Sequence, residues 1–289
     1  MSDATLYCYV HPKIVPLNEA SIPITDLALQ RGYGLFDFLR VLEGVPLFLD
    51  KHLDRFFFSA NELHMTPVES REEIHALIYE LIERNKTSAA GIRLFLTGGD
   101  SPNGYQLGVP RLIILQQPLP ELPKELITPG WTLVTFPYQR QLSHVKSIDY
   151  LMAVWLQPWL KEQGAEEILY IDNGFIRENP RSNFFMVSDD GKIVTPKEGV
   201  LHGVTRSNVL TIADRLGLKV EEREISMDEL KSASEAFISS STKRVIPVRQ
   251  IDSVQIGNGD PDYSVSRSIF EQFSVLEQEE IANYHSVFG

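Results

Sequence analysis

Hydrophobic and polar residues follow two different spacings in the first part of the chain. Residues 35–42 are rich in strand-forming residues, and Glu43-Gly44 followed by the apolar run 45–49 predicts a hairpin. Residues 51–63 carry apolar side chains at helical spacing, which predicts an amphipathic helix. The further elements predicted in this part are a helix and two strands, at 71–84, 92–97 and 111–116.

A proline-rich stretch divides this part from the rest of the chain. Four prolines lie between residues 117 and 130, and each removes a backbone donor that regular structure would use. We therefore predict an interdomain linker at 118–130. It separates an N-terminal α/β domain at 1–117 from a C-terminal α/β domain at 131–289.

The C-terminal part mixes strand-like and helical segments. Two pairs, Asn173-Gly174 and Asp190-Gly191, are typical of hairpin turns. Two helices are predicted at 150–161 and 205–216, and strands are predicted at 131–136, 167–172, 183–187, 236–239 and 245–248. Strands and helices do not alternate regularly, so the fold class predicted is α+β, built as two α/β domains.

Composition excludes several classes of protein. The 289 residues are 43% hydrophobic and 23% charged, as in ordinary globular enzymes. No apolar run approaches the ~20 residues that span a bilayer, and the first residues lack the basic start of a signal peptide. We therefore expect a cytoplasmic protein with no membrane partner. The net charge of −12 disfavours binding to nucleic acid.

Cysteine and histidine usage gives no sign of a metal centre. Cys8 is the only cysteine, which excludes an intrachain disulfide and a cysteine-built zinc site. The seven histidines are scattered, with no pair at metal-ligand spacing in a periodic segment. We therefore expect no metal.

Candidate chemistry begins with Lys146 and with Glu178, which lies 178 − 146 = 32 positions later. An amine that can form a Schiff base and a carboxylate that can hold a pyridinium nitrogen are two requirements of a pyridoxal phosphate enzyme. The third is a phosphate site. A turn at 201–205 leads into the predicted helix, whose start offers free N–H groups, and residues 239–242 form a hydroxyl cluster. Taken one at a time, a solvated lysine, a surface carboxylate and ordinary turns explain these features equally well.

Together, these segments resemble the class IV aminotransferases, the fold-type IV pyridoxal phosphate enzymes. The matching segments occur in the family's order and cover nearly the whole chain. They are Gly34-Leu35-Phe36-Asp37, His52-Leu53-Asp54-Arg55, Lys146, residues 178–184, residues 203–206 and residues 240–248. The resemblance implies a D-amino acid aminotransferase-like fold and pyridoxal 5′-phosphate as cofactor.

The resemblance also implies roles for individual residues. Lys146 would be the Schiff-base lysine and the general base, and Glu178 would keep the pyridine nitrogen protonated. Tyr150 would lie near the phenolic oxygen of the cofactor, although a core tyrosine is the ordinary alternative. The phosphate would be held by Arg55, Val204, Thr205, Ser241 and Thr242.

Three arginines bear on the substrate class. We interpret Arg93 and Arg181, assisted by Arg31, as a trap for the substrate carboxylate, with Phe36 also in contact with substrate. Structural ion pairs are the alternative for each arginine. Arg181 departs from the small residues that the family more often carries there. The family's D-amino acid enzymes carry an Arg-x-His clamp in the loop at 97–105, where this chain has Asn103 and Tyr105.

The function predicted is a pyridoxal-phosphate-dependent aminotransferase that moves an amino group between an amino acid and a 2-oxo acid such as 2-oxoglutarate. A D-amino acid is favoured. A branched-chain L-amino acid aminotransferase, an aminodeoxychorismate lyase and a non-catalytic binding protein are the alternatives. The resemblance further implies a homodimer, in which Arg31 would reach a neighbouring site.

Overall fold

The computed structural model describes residues 6–119, 125–259 and 262–288. The chain divides into two compact units: Met1–Pro120 with Val145–Asp149 and Glu280–Gly289, and Glu121–His144 with Tyr150–Glu279. Residues 120–124 of the predicted linker lie outside the described residues. The two units differ from the predicted domains in two segments. The short one, Val145–Asp149, carries Lys146 and groups with the first unit.

The first unit contains an antiparallel sheet. Its strands are β1 (Tyr7–Val10), β2 (Lys13–Pro16), β3 (Gly34–Leu42), β4 (Val45–Pro46), β5 (Ala89–Thr97) and β6 (Arg111–Gln117), in the order β2-β1-β6-β5-β3-β4. The central pair, β3 and β5, is in register along nine residues. Glu43 and Gly44 both have positive φ, as the predicted hairpin turn requires.

Helices cover this sheet. They are α1 (Leu27–Arg31), α2 (Leu49–Glu62) and α3 (Arg71–Asn85). The apolar faces of α2 and α3 bury a continuous core with the strands, formed among others by Leu39, Leu53, Phe56, Ile78 and Ile92. The predicted helices at 51–63 and 71–84 are confirmed, while the predicted strand at 45–49 ends early because α2 already begins at Leu49. The elements β1, β2 and α1 were not predicted.

The second unit contains a larger mixed sheet. Its strands are β7 (Trp131–Pro137), β8 (Glu167–Asp172), β9 (Phe175–Ile176), β10 (Glu178–Asn179), β11 (Ser182–Val187), β12 (Ile193–Thr195), β13 (Val220–Glu222), β14 (Glu235–Ser240), β15 (Arg244–Ile251) and β16 (Val254–Gln255). The main path runs β13-β12-β11-β14-β15-β7-β8-β9, with β10 paired to β11 and β16 to β15. The pairs β12–β13, β15–β7 and β7–β8 are parallel.

The helices of the second unit refine the sequence analysis at one point. They are α4 (Leu151–Trp155), α5 (Gln157–Gln163), α6 (Val204–Arg215) and α7 (Ser264–Phe288), the last residues of α7 grouping with the first unit. The predicted helical segment at 150–161 is confirmed, but Leu156 divides it into the two helices α4 and α5. Pro158, in the first turn of α5, has no N–H, and its ring would clash with the carbonyl of Val154 in a continuous helix.

Two features stabilise the second unit. Apolar side chains of the central strands fill its core, and the rings of Phe185 and Phe237 stack with centroids 4.8 Å apart. The buried carboxylate of Glu235 caps α7, accepting the N–H groups of Val265 at 2.8 Å and Ser266 at 2.9 Å. A negative charge at a helix N-terminus also interacts favourably with the helix dipole.

None of the helices in the described residues is both long enough and apolar enough to cross a lipid bilayer.

Candidate active site

Lys146 is fixed to strand β3 through its backbone. The N–H of Phe36 donates to the carbonyl of Lys146 at 2.9 Å, and the N–H of Ile148 donates to the carbonyl of Gly34 at 3.0 Å. The N–H of Lys146 donates to Ser59 Oγ, on α2, at 3.3 Å. A segment distant in sequence from β3 is thereby held against its first residues, which places Lys146 beside Phe36.

The Lys146 side chain shares an aromatic ring with Arg93. Lys146 Nζ lies 4.6 Å from the ring centroid of Phe36, and the Arg93 guanidinium lies 5.8 Å from the same centroid. Phe38 and Phe95 also face the guanidinium, at 5.9 Å and 5.8 Å. Within the residues that the structure describes, Arg93 has no carboxylate partner, and its Nε is buried without a hydrogen bond. Arg93 is therefore a cation available to an anion.

A buried carboxylate orients Arg55. Arg55 donates through Nε to Asp37 Oδ2 and through Nη2 to Asp37 Oδ1, both at 2.8 Å. His52 Nδ1 lies 2.7 Å from Asp37 Oδ1. Asp37 is fully buried and the Arg55 side chain is 10% exposed. Nη1 of Arg55 takes part in neither bond, so the guanidinium keeps a donor group for a ligand.

These contacts determine the protonation states of Asp37 and His52, the two partners of Arg55. Burial alone would raise the pKa of Asp37, but Arg55 and His52 hold that pKa well below its ordinary range. Burial lowers the pKa of His52, against the opposing effect of Asp37. At neutral pH the histidine is therefore neutral and donates Nδ1–H to an ionised Asp37.

Glu178 is buried and has a donor on each oxygen. Arg140 Nη1 donates to Oε1 at 3.1 Å, and the N–H of Leu201 donates to Oε2 at 2.9 Å. The Asn183 amide donates to the carbonyl of Leu201 at 2.7 Å, so the turn before α6 is held on both sides of that residue. Burial alone would lower the pKa of Arg140, but Glu178 and then Tyr150 raise it. Glu178, Arg140 and Tyr150 therefore interact within the second unit.

Sequence analysis missed Arg140 and gave Asp37 no role of its own. Arg140 is 38 positions before Glu178 in the chain, and no local pattern connects them. The only available signal was a general one, since a buried carboxylate requires a cationic or N–H donor.

The predicted phosphate turn has the geometry of an anion site. Gly203 is the N-cap of α6, and no side chain caps this helix start. A Cβ at Gly203 would lie 2.3 Å from Asn183 Oδ1, so any other residue there would displace the Asn183 side chain. Thr205 Oγ1 lies 3.4 Å from Ser241 Oγ. The first N–H groups of α6, among them those of Val204 and Thr205, lack acceptors within the helix and can bind an anion.

Further hydroxyl groups lie near this turn. In the described part of the chain, the buried hydroxyls of Ser239 and Ser240 have no hydrogen-bond partner. Thr242, two residues later, is partly buried. Hydroxyls, helix N–H groups and a guanidinium are the donors that bind phosphate oxygens. The residues present therefore fit the phosphate ester of the implied cofactor.

Two of the proposed substrate arginines are exposed. The Arg181 side chain is 67% exposed, and its Nη2 lies 3.7 Å from Glu167 Oε2. Arg31 ends α1 with its guanidinium 5.2 Å from the ring centroid of Tyr105. Asn103 accepts two N–H groups of its own loop and shapes that turn.

Comparison with known proteins identifies the family. Residues 34–251 match the model of the amino-transferase class IV family. The chain is 30% identical over 254 residues to the D-alanine aminotransferase of Bacillus licheniformis, covering 86% of this chain and 89% of that protein. It is 30% identical over 261 residues to the putative branched-chain-amino-acid aminotransferase of Methanocaldococcus jannaschii, with the same coverage.

Solved structures agree with this match. The branched-chain amino acid aminotransferase of Escherichia coli has a TM-score of 0.86 and 25% identity, with 96% of each chain covered. Another branched-chain amino acid aminotransferase, solved with pyridoxamine 5′-phosphate, has a TM-score of 0.85 and 26% identity, with 95% of each chain covered. The chain therefore belongs to the class IV aminotransferases, and its fold is that of the fold-type IV enzymes. It is an aminotransferase dependent on pyridoxal 5′-phosphate.

The Asp37 contacts predict a large stability difference between two substitutions. Asp37→Asn leaves Arg55 buried without its counter-charge, so we expect the free energy of unfolding to fall by about 3–5 kcal/mol. Asp54→Asn removes one of the two exposed partners of Arg71 and should cost less than about 1 kcal/mol. Urea unfolding of the two variants without cofactor measures both values.

The pH dependence of stability provides a second test of the Asp37–Arg55 pair. Because the pKa of Asp37 is lowered in the folded state, its contribution is present above the ordinary carboxyl pKa and is lost as the pH falls toward the folded value. The difference in the free energy of unfolding between wild type and Asp37→Asn should therefore become smaller as the pH is lowered. Equal stability of the two at neutral pH would contradict this role of Asp37.

Proposed function

We propose that this enzyme transfers an amino group between an amino acid, with D-amino acids favoured, and a 2-oxo acid such as 2-oxoglutarate. The observation that carries the proposal is Arg93, a partly buried cation without a carboxylate partner in the described residues. It lies against the same Phe36 ring as Lys146. A cation so placed favours substrates that bear a carboxylate over simple amines.

The residues that would hold the cofactor follow from their donors and charges. Glu178 would accept a hydrogen bond from the protonated pyridine nitrogen, and Arg55 would bind the phosphate with its remaining guanidinium donor. Val204 and Thr205 would add helix N–H groups, with the Ser241 and Thr242 hydroxyls. When bound, pyridoxal phosphate supplies an electron-accepting ring that acidifies the α-proton of an amino acid.

Lys146 would be both the point of covalent attachment and the general base. Its amine would take the proton from Cα of the substrate, which requires the neutral form of the amine at that step. The backbone bonds to β3 and Ser59 hold the start of the side chain in place. Tyr150 would lie near the phenolic oxygen of the cofactor.

The substrate carboxylate would be bound jointly by Arg93 and Arg181, with Arg31 assisting and Phe36 in contact with the substrate. Arg181 supports this proposal through its freedom: 3.7 Å to Glu167 is too long for a hydrogen bond, so an incoming anion has donors available. Arg31 is exposed at the end of α1. That position suits contact with a neighbouring subunit.

A branched-chain L-amino acid aminotransferase is the second candidate, because similar relatives carry both names. Initial rates with D-alanine, D-glutamate, L-leucine and L-valine, with 2-oxoglutarate as acceptor, separate the two candidates. Release of pyruvate from aminodeoxychorismate without an amino acceptor would indicate a lyase instead. A cytoplasmic location stays a prediction.

We propose a homodimer as the assembly. The short helix α4 exposes Leu151, Val154 and Trp155 by 74%, 68% and 64%. In the first unit Ile24, Leu29 and Tyr105 are also largely exposed. Adjacent exposed apolar side chains mark interaction surfaces, since burying each such side chain stabilises an assembly by about 1.5–3 kcal/mol.

Lys146→Ala should abolish transamination. General base catalysis contributes about 10²–10⁴-fold, and covalent attachment is lost as well. After borohydride reduction and proteolysis, mass spectrometry should find the cofactor on the Lys146 peptide of the wild type and on no peptide of the variant. The control is Lys231→Ala, an exposed lysine paired with Asp228, which should behave as wild type. Cofactor attached to another lysine would disprove the assignment.

Arg93→Met and Arg181→Ala should selectively weaken the binding of amino acid substrates. In the proposed complex the substrate would cover each arginine–carboxylate pair, and loss of a charged partner from such a desolvated pair costs about 2–5 kcal/mol. KM for amino acids should therefore rise well over tenfold. Reaction with (R)-1-phenylethylamine, which has no carboxylate, should change far less. Arg215→Met, an exposed arginine paired with Glu279, is the control. Equal losses on both substrates would show that the arginine serves the cofactor or the fold.

Trp155→Asp should shift the protein from dimer to monomer in sedimentation, because the dimer would bury an unpaired charge. Val275→Asp places the same charge at a 46% exposed apolar position on α7 and should leave the dimer intact. A wild-type protein that sediments as a monomer with full activity would reject the homodimer.

A further inference from the structure

Lys243 is a partly buried lysine beside the predicted phosphate turn. It follows Thr242 in the turn between β14 and β15, and its Nζ lies 4.2 Å from the ring centroid of Trp131. Across the described ranges, this amine has no carboxylate within ion-pair distance and no hydrogen-bond acceptor. An ammonium group that has lost water and gained only an aromatic face is incompletely compensated.

The adjacent residue, Arg244, is a cation with a carboxylate partner. Arg244 donates to Glu277 through Nη2 at 2.6 Å and through Nε at 3.2 Å, and Glu277 is buried. Arg244 therefore has a structural partner. The same turn thus carries one neutralised cation and one that is not.

Lys243 interacts electrostatically with Glu167 and Arg181. Burial lowers the pKa of Lys243, Glu167 raises it, and Arg181 lowers it further. Glu167 is buried and already accepts the N–H of Ile168 at 3.2 Å. Arg181 Nη2 lies 3.7 Å from Glu167 Oε2, nearer than the Lys243 amine, so Lys243 has no carboxylate partner of its own among the described residues.

We propose that Lys243 is a specificity residue that binds the second carboxylate of dicarboxylic substrates such as glutamate and 2-oxoglutarate. The inference rests on the proposed function, in which Arg93 and Arg181 bind the α-carboxylate. Arg93 and Arg181 would already neutralise the α-carboxylate, so the positive charge of Lys243 remains for a second carboxylate. The nearby charge of Arg181 adds to the positive potential around Lys243. A substrate with a single carboxylate gains nothing from this amine, whereas a dicarboxylate gains a charged hydrogen bond.

The test uses amino acceptors, because 2-oxo acids are achiral and the result is then independent of substrate stereochemistry. With the loaded enzyme and one fixed amino donor, KM is measured for 2-oxoglutarate and for 4-methyl-2-oxopentanoate. Lys243→Met keeps an unbranched side chain one atom shorter and removes its charge. We expect KM for 2-oxoglutarate to rise about tenfold or more, as for loss of a charge-assisted hydrogen bond, while KM for the monocarboxylate changes less than about twofold.

A binding measurement separates specificity from catalysis. Trp131 lies against Lys243, so its fluorescence should respond to glutarate and far less to pentanoate, an acid of the same carbon number. Lys243→Met should lose the preference for glutarate, and Lys243→Arg should retain part of it. Lys231→Met removes an exposed lysine and should leave both titrations unchanged.

The outcomes distinguish this inference from the proposed function. If the wild type transfers amino groups but Lys243→Met affects both acceptors equally, or neither, the role of Lys243 is wrong and the aminotransferase stands. If the variant loses cofactor and both acceptors suffer together, Lys243 serves the cofactor and the inference also fails. If the wild type uses no 2-oxo acid, the proposed function itself is rejected.

Discussion

The carboxylate of Asp37 is fully buried, and it stays ionised there because Arg55 and His52 both bind it. The three residues join β3 to α2. Strand β3 also carries Phe36 and the backbone groups that hold the Lys146 segment, and α2 carries Ser59. The positions of the lysine, its aromatic neighbour and the candidate phosphate arginine therefore depend on the same junction. Breaking a buried pair leaves an uncompensated charge, so the junction resists displacement.

The same requirement organises the second unit around Glu178. Arg140 and the Leu201 N–H each occupy one of its oxygens. Each carboxylate oxygen has two acceptor sites, and the proposed function would use one of them for the pyridinium nitrogen of the cofactor. Arg140 places a positive charge beside this carboxylate. Because Leu201 also receives the Asn183 amide, the carboxylate and the turn leading into α6 are positioned together.

Periodicity predicted what local sequence can specify, since β3, α2, α3 and α6 follow apolar patterns long enough to recognise. Helix α7 was missed because two of its buried positions, Ser266 and Glu277, are polar and interrupt the apolar pattern. Lys146 and Glu178 could be proposed as site residues only because they lie in segments that the family motif names. Arg140 could not be predicted, because its partner is remote in sequence and only the folded chain brings the two together.

The positions of the cations relative to buried acids determine which positive charges are left to interact with an anionic substrate. The protein carries a net charge of −12, which by itself would repel anionic substrates. At physiological ionic strength, however, exposed charges are screened beyond about 8 Å, so distant acidic residues contribute little at the site. Arginines beside buried acids are neutralised by them, as Arg55, Arg140 and Arg244 are. Arg93 and Lys243 have no carboxylate partner within the described residues. In the proposed function, these two cations are how an acidic protein would bind a carboxylate.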